Sequence, residues 1–201
     1  MIIYGASGHG KVIAEILEEN GISDLTFVDD KPVGDLFLGY PLYHTSQISR
    51  AIQKEVIIAV GNNRIRKLIS EKLAYIFATT RHPSAQISKR CEIGEGTVVM
   101  AGVAVNSESS IGKHVILNTN CSIDHDCVLA DYVHVSPNAA LAGNVTVGEG
   151  AHIGIGASVI QGIKIGKYAT IGAGAAIIED VPDYAVIVGV PGKVIKFNSP
   201  V

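Results

Sequence analysis

The chain has no tryptophan, and aromatics make up only 5% of its 201 residues. A core without large rings must be filled by aliphatic and small side chains. Charged residues are scarce too, at 17%, and neither sign dominates: 16 basic against 19 acidic residues leave a formal net charge of -3. That argues against nucleic acid or an anionic membrane surface as the main partner. No apolar run approaches the ~20 residues of a membrane span. The opening Met1-Ile2-Ile3-Tyr4-Gly5 lacks the basic stretch of a signal peptide, so a cytoplasmic location is expected. Three cysteines make no disulfide framework, which fits the same reducing compartment. What is plentiful is aliphatic and small: 47% of residues are hydrophobic and 22 are glycine. Without a Gly-X-Y period this is not collagen, and the aliphatic content excludes disorder.

The composition divides the chain. Residues 1–84 hold 7 of the 11 aromatics and 9 of the 16 Lys and Arg, but only 7 of the 22 glycines. A domain boundary near His82-Pro83-Ser84 is expected, giving units 1–84 and 85–201. The first alternates strand and helix signals. Ile2-Ile3-Tyr4 is a short apolar run before a glycine-rich turn, Gly5-Ala6-Ser7-Gly8-His9-Gly10. Val12, Ile13, Ile16 and Leu17 follow at helical spacing, and Gly21 is a natural stop. Leu25 to Val28 and Val56 to Val60 read as further strands. Thr45 is placed to cap a helix carrying Ile48, Ala51 and Ile52, and Asn62 one carrying Ile65, Leu68, Ile69 and Leu73. This alternation predicts a small parallel α/β, Rossmann-like sheet.

The second unit keeps a period of six. From Ile87 to Ile177, every sixth residue is Ile, Val or Leu, sixteen times without a break. The fourth residue after each, such as Cys91, Val103, Cys121, Cys127, Ala139 and Ala151, is small or β-branched. Hexapeptide repeats of this kind build a parallel β-helix, with one large and one small inward residue per repeat. The repeat resembles that of the left-handed β-helix family, in which three hexapeptides make one coil, and this implies that residues 18 apart stack on neighbouring coils about 4.8 Å apart. Sixteen repeats give about five coils.

That arithmetic stacks His125 on Gly143, His134 on His152 and Asn118 on Ser136. His125 sits in an outward slot. Alone it reads as a solvated surface histidine; between Asp124 and Asp126 it also reads as a base whose tautomer a carboxylate fixes. Asp126 is the better orienter, since Asp124 occupies a slot that often holds turn residues. Gly143 is either a turn glycine or an open amide able to meet a carbonyl that gains negative charge. His134 and His152 make too small a set for a metal, and the three cysteines fall in inward slots as core thiols. The turn at Gly8, His9 and Gly10 has the strand-to-helix setting of a phosphate site. Asp29, Asp30 and Lys31, after the second strand, are placed to reach a ribose, and Asn62 lies at the same sheet edge. The short sheet suits a nucleotide or nucleotide-linked sugar better than a dinucleotide.

These stretches together carry a family resemblance. Ile3 to Gly10, Asp29-Asp30, Ala59 to Lys67, Ile123 to Cys127, Ala142 to Val145 and Val188 to Lys193 resemble bacterial sugar acetyltransferases of the sialic acid O-acetyltransferase group. The branch that N-acetylates UDP-linked 4-amino sugars of the bacillosamine type is the most similar. The resemblance implies a left-handed β-helix, acetyl-CoA as co-substrate without a metal, and a homotrimer with sites between subunits. It implies His125 as general base and Asp126 as its partner, where the relatives carry a glutamate. It implies that the Gly143 amide meets the thioester carbonyl, and that His134, Lys164 and Lys193 lie along the coenzyme. The N-terminal turn and Asp29-Asp30 match the nucleotide-sugar site. The acceptor alternatives are a hydroxyl, as on sialic acid, or the amine of a GDP- or dTDP-linked perosamine-type sugar. The non-enzymatic alternative is a trimeric nucleotide-binding scaffold; a nicotinamide-dependent oxidoreductase has only the glycine turn in its favour.

Overall fold

The computed structural model describes residues 1–47, 55–73 and 75–199. The first unit holds β1 (Ile2–Tyr4), α1 (Gly8–Glu19), β2 (Thr26–Asp29), β3 (Leu36–Phe37), β4 (Tyr40–His44), β5 (Val56–Ile58) and α2 (Asn63–Lys72). Its sheet runs β3-β4-β2-β1-β5, with β4, β2, β1 and β5 parallel. The antiparallel β3–β4 hairpin at the edge was not foreseen from sequence. It turns through Leu38 and Gly39, both at positive φ. Ile3, Ile13, Ile16, Leu17 and Phe27 form the core between sheet and α1. Asn62 caps α2 as expected, its Oδ1 accepting from the Ile65 amide at 3.1 Å. Thr45 opens a short 3-10 turn, Thr45–Gln47, and the helix expected over Ile48, Ala51 and Ile52 lies outside the described residues.

From Thr80 onward the chain coils into a parallel β-helix with three faces. One face runs from β6 (Thr80–Arg81) through Val98–Val99, Ile116–Leu117, His134–Val135, His152–Ile153 and Thr170–Ile171 to Ala185–Val188. This is the docking face, because the first unit packs on it. The second face carries six strands and the third five, each strand 18 residues from its neighbour. The docking face thus has seven parallel levels where sixteen repeats alone suggested about five, since Thr80–Arg81 and Ala185–Val188 add coils beyond the unbroken series.

The period of six is the core. Val105, Ile111, Leu117, Ile123, Leu129, Val135, Leu141 and the rest of the series from Val99 onward are buried, as are the small inward residues Val103, Cys121, Cys127, Ala139 and Ala151. The core cross-section leaves room for one large and one small residue per repeat, so truncating one of the large positions to alanine is expected to cost about 2–5 kcal/mol. Corners turn through one left-handed residue per repeat, at Gly102, Glu108, His114, Asn120, Asp126 and Tyr132 among others. Asn and Asp tolerate that conformation better than most side chains, and two of the bulky occupants are supported by stacking: His114 and Tyr132 lie parallel, 5.4 Å apart.

Outward residues of the docking face explain how the units join. Val98, Met100 and Ile116 are buried against the core of the first unit. Higher up, the same outward column becomes His134, His152 and Thr170, and a polar cleft of about 580 Å³ opens among Gly61, Asn63, Arg64, His152 and Thr170. The upper end of the solenoid is closed by its own chain. After Ala185–Val188 the chain reverses into an antiparallel strand, Lys193–Phe197. The Gly192 amide donates to Ala176 O at 2.8 Å, and the Val181 amide to Lys164 O at 2.8 Å, so the last strands of the other two faces are bonded as well. At the lower end, Asn20 Nδ2 donates to Arg81 O at 2.9 Å.

Candidate active site

The corner between the second and third faces gathers His125, Asp126 and Gly143. His125 is on the surface, its side chain 59% exposed. Its Nδ1 lies 2.7 Å from Asp126 Oδ2, so the carboxylate accepts the Nδ1 proton and Nε2 is left free. Asp126 makes this contact from the left-handed corner position, φ 60°, despite an arm shorter than glutamate's. The hydrogen bond to Asp126 first, and then the charge of Asp124, raise the His125 pKa above its ordinary value. One coil above, Gly143 lies under the ring: a Cβ there would stand 2.6 Å from His125 Cε1 and 2.7 Å from Nε2. Glycine is required because the imidazole occupies the space a side chain would take. Among the described residues nothing accepts the Gly143 N–H, which leaves that amide to a ligand.

Lys164 lies on the adjoining third face, two coils above Val128. Beside the corner, the second face presents a stripe of small outward residues, Ala104, Ser122, Ala140 and Ser158, lining a groove of about 470 Å³ that ends at Asp124 and Ala142. His134 and Lys193 do not join this group. His134 points from the docking face toward the first unit, and Lys193 lies on the reversed strand at its top.

The glycine turn is held tightly. Gly5 takes φ 116°, and a Cβ there would meet Ala59 O at 2.7 Å. A Cβ on Gly10 would overlap the Gly5 carbonyl, whereas Gly8 faces open space. The free side of the turn is therefore Gly8 and the first amides of α1. Asp29 is fixed by the backbone: its Oδ2 accepts from the Ala6 amide at 2.9 Å and its Oδ1 from the Lys31 amide at 2.8 Å. Asp30 Oδ1 accepts from Tyr4 Oη at 2.9 Å and Thr45 Oγ1 at 2.7 Å. The exposed Lys31, Gly61 and Asn62 complete the same sheet edge.

Between the units lies a cluster that the sequence did not announce. Arg66, only 1% exposed, donates all five guanidinium N–H groups: Nε to His114 O, Nη1 to Val60 O and Gly61 O, Nη2 to Asn63 Oδ1 and Tyr132 O. None of these acceptors is a carboxylate, and burial pulls its pKa down to about 9. Around it the histidines are held neutral. Burial, then the Arg66 charge, lowers His9 to about 4 and His114 to about 4. His134 falls to about 3, by burial and then by His152, whose ring stacks on it at 4.8 Å. The tautomer of His134 follows from its neighbour. Asn118 Oδ1 accepts from the Thr119 amide, so Asn118 Nδ2 faces His134 Nε2 at 3.1 Å and the ring proton must sit on Nδ1. At the rim, Lys67 pairs with Glu149, which also accepts from Tyr168 Oη at 2.9 Å.

Known proteins share both units. Residues 1–73 match the PglD N-terminal domain family. PerB from Caulobacter crescentus, solved with CoA and GDP-perosamine, superposes with a TM-score of 0.92 at 37% identity over 97% of this chain and 96% of that one. The chain belongs to the bacterial sugar N-acetyltransferase family. A second member, the acetyltransferase domain of PglB from Neisseria gonorrhoeae in complex with acetyl coenzyme A, gives a TM-score of 0.91 at 40% identity over 96% of this chain and 98% of that one. A curated relative, UDP-N-acetylbacillosamine N-acetyltransferase of Bacillus subtilis (strain 168), is 43% identical over 108 residues, 49% of this chain. This family member spans about half the length of that curated relative in the match, 50%. Among the described residues no cluster of three or more His, Cys, Asp or Glu could hold a metal ion, and no helix is long and apolar enough to cross a membrane.

Within the family frame the site residues fall into three places. His125, Asp126 and Gly143 share one corner, and Lys164 lies on the adjoining third face. Gly8, His9, Gly10, Asp29, Asp30, Lys31 and Asn62 share the sheet edge of the first unit. His134 stands between the units, near enough to Arg66 and His9 for both to add to the lowering of its pKa. Arg66 had no sequence signal of its own beyond its place in the Ala59 to Lys67 stretch.

Proposed function

We propose that the chain is an acetyl-CoA-dependent N-acetyltransferase acting on the 4-amino group of a nucleotide-linked, UDP-bearing amino sugar. The observation that carries this reading is the exposed His125–Asp126 pair seated over Gly143. Residues 1–84 hold the nucleotide sugar through the Gly8-His9-Gly10 turn, Asp30, Lys31 and Asn62, and residues 85–201 hold the acetyl donor. Relatives solved with CoA, GDP-perosamine and acetyl coenzyme A support both ligand classes. The enzyme works in the cytoplasm as a homotrimer. His125 is exposed while His134 and Lys193 lie on another face, and a site between subunits accounts for that split.

The reaction is direct transfer. The neutral sugar amine attacks the thioester carbon and the C–N bond forms. The Gly143 N–H donates to the oxyanion as it develops. His125 Nε2 accepts the proton the nitrogen loses, the C–S bond breaks, and the coenzyme thiolate takes a proton back from the imidazolium. Asp126 holds the ring in the tautomer this needs. General base catalysis of this kind is worth about 10²–10⁴-fold, and holding two substrates in register supplies much of the rest.

The test is free-thiol release from acetyl-CoA against a panel of UDP-, GDP- and dTDP-linked 4-amino sugars and sialic acid. Turnover is expected with a UDP-linked amine, and His125→Ala is expected to lower kcat by at least about 10²-fold. Transfer to a hydroxyl acceptor but to no amine would replace the N-acetyl assignment, and near-normal activity of His125→Ala would remove the base.

A further inference from the structure

The main chain of His125 is gripped from three consecutive coils. From the coil below, Asn106 Nδ2 donates to Asp124 Oδ1 at 2.8 Å. The same oxygen accepts from the His125 amide at 2.8 Å. The Asp126 amide donates to Ser107 O at 3.1 Å, also one coil below. From the coil above, the Asn144 amide donates to His125 O at 2.9 Å. Asp124's own carbonyl is held by Ser109 Oγ at 2.7 Å, and that hydroxyl accepts from the Cys127 amide at 3.1 Å. The peptide on either side of His125 is therefore fixed while its ring stays on the surface.

We infer that Asn106 and Asp124 are positioning residues for the base, fixing where the His125 ring stands over Gly143. The inference rests on His125 being the base, as proposed above. Asp124 does fill a turn slot, but the turn it closes is the one that carries the imidazole. A carboxylate accepting two N–H bonds has little freedom, and Asn106 supplies the second bond that an ordinary turn aspartate lacks. The Asp124 carboxyl is accordingly held below its usual range, first by Asn106 and then by the His125 amide. Its charge also favours the protonated imidazole, after the hydrogen bond that His125 Nδ1 donates to Asp126. Other charges along this corner are farther off or engaged. Glu108, one coil below Asp126, lies 3.8 Å from Arg90. Asp180, at the top of the column, accepts from the Lys164 amide at 2.8 Å. Gly143 and Asn144 above are uncharged.

Two substitutions separate charge from placement. Asp124→Asn keeps an oxygen for both N–H groups and removes only the charge. The acid limb of its kcat/KM profile should move to lower pH, and its plateau kcat should fall because a weaker base remains. Asn106→Ala keeps the charge and frees the carboxylate. It should lower kcat about 10-fold with KM for acetyl-CoA and the melting temperature unchanged. The His125 ring should titrate at lower pH in Asp124→Asn than in the parent protein by NMR, a readout that needs no turnover. A parent-like titration and pH profile in Asp124→Asn, or full kcat in Asn106→Ala, overturns the positioning role. Persisting activity in His125→Ala instead overturns the base assignment itself, so the two failures look different.

Discussion

Arg66→Met removes a buried side chain that bonds the backbone of both units. Two of its five hydrogen bonds, to His114 O and Tyr132 O, cross to the β-helix at 2.8 Å each, and the other three hold the Val60–Asn63 loop. Bonds from a charged donor are worth about 1.5–3 kcal/mol each, so the crossing pair amounts to about 3–6 kcal/mol. Breaking one side of a buried charged network costs a similar ~3–5 kcal/mol. Methionine also relieves the burial of a charge, which places the net loss at the lower end, about 3 kcal/mol. For a chain of this size each 1 kcal/mol is worth about 2–4 °C, so the melting temperature should fall by about 6–12 °C. Urea unfolding at pH 7.5, followed by far-UV circular dichroism, measures it. Arg66→Lys should lose most of the same stability, because an ammonium has three donors at one point and cannot reach acceptors on both sides. A loss below about 1 kcal/mol in Arg66→Met would refute the reasoning, since the carbonyls would then be satisfied without the guanidinium.

Three other outcomes follow from the same contacts. Gly143→Ala should lower kcat by about 10²-fold, the usual cost of displacing a reacting group by about 1 Å. Its melting temperature should barely change, since the ring it pushes is on the surface; full activity would show that the ring need not stand over Gly143. The neutral histidines make the protein acid-sensitive. His9, His114, His134 and His152 have folded pKa values below their ordinary 6.5, so the unfolded chain binds more protons between about 4 and 6.5. Stability should therefore be intact above pH 6.5 and fall toward pH 4, by up to ~1.4 kcal/mol per pH unit for each ring. Urea midpoints at pH 7.5, 5.5 and 4.5 that coincide would contradict this. His125→Ala should lower kcat by at least about 10²-fold while leaving the urea midpoint at pH 7.5 unchanged, since the ring it removes is on the surface.

The repeat was legible because the β-helix is its own period, except at Thr80–Arg81 and Ala185–Val188, which extend it beyond the unbroken series. An inward slot every sixth residue and a stack every eighteenth put His125 with Gly143 and His134 with His152, and both pairs are in contact. Local signals held too: Asn62 caps its helix and Asp126 reaches the imidazole. What failed to show were contacts between distant segments. Ile65, Leu68 and Ile69 all carry the helical spacing of α2, yet Ile65 and Leu68 are about half exposed, and it is Arg66 that is buried beside Ile69 and Ser70. Its acceptors are carbonyls 48 and 66 residues away, at coil corners, and no hydropathy scale registers a carbonyl. The two backbone amides, of Ala6 and Lys31, that donate to Asp29 had no sequence signal either. The position of His134 on the docking face depends on which of the three faces the first unit covers, and a period of six treats the faces alike.

The closed ends of the solenoid decide how the protein behaves in a crowd. A bare coil terminates in three rows of unmet amides and carbonyls, the growing tip of a fibre. Here the tip is used up by the chain itself, through Gly192, Val181 and the reversed strand with its Lys193 and Lys196, while α1 blunts the base. Removing the reversed strand would turn a discrete molecule into one that can polymerise head to tail.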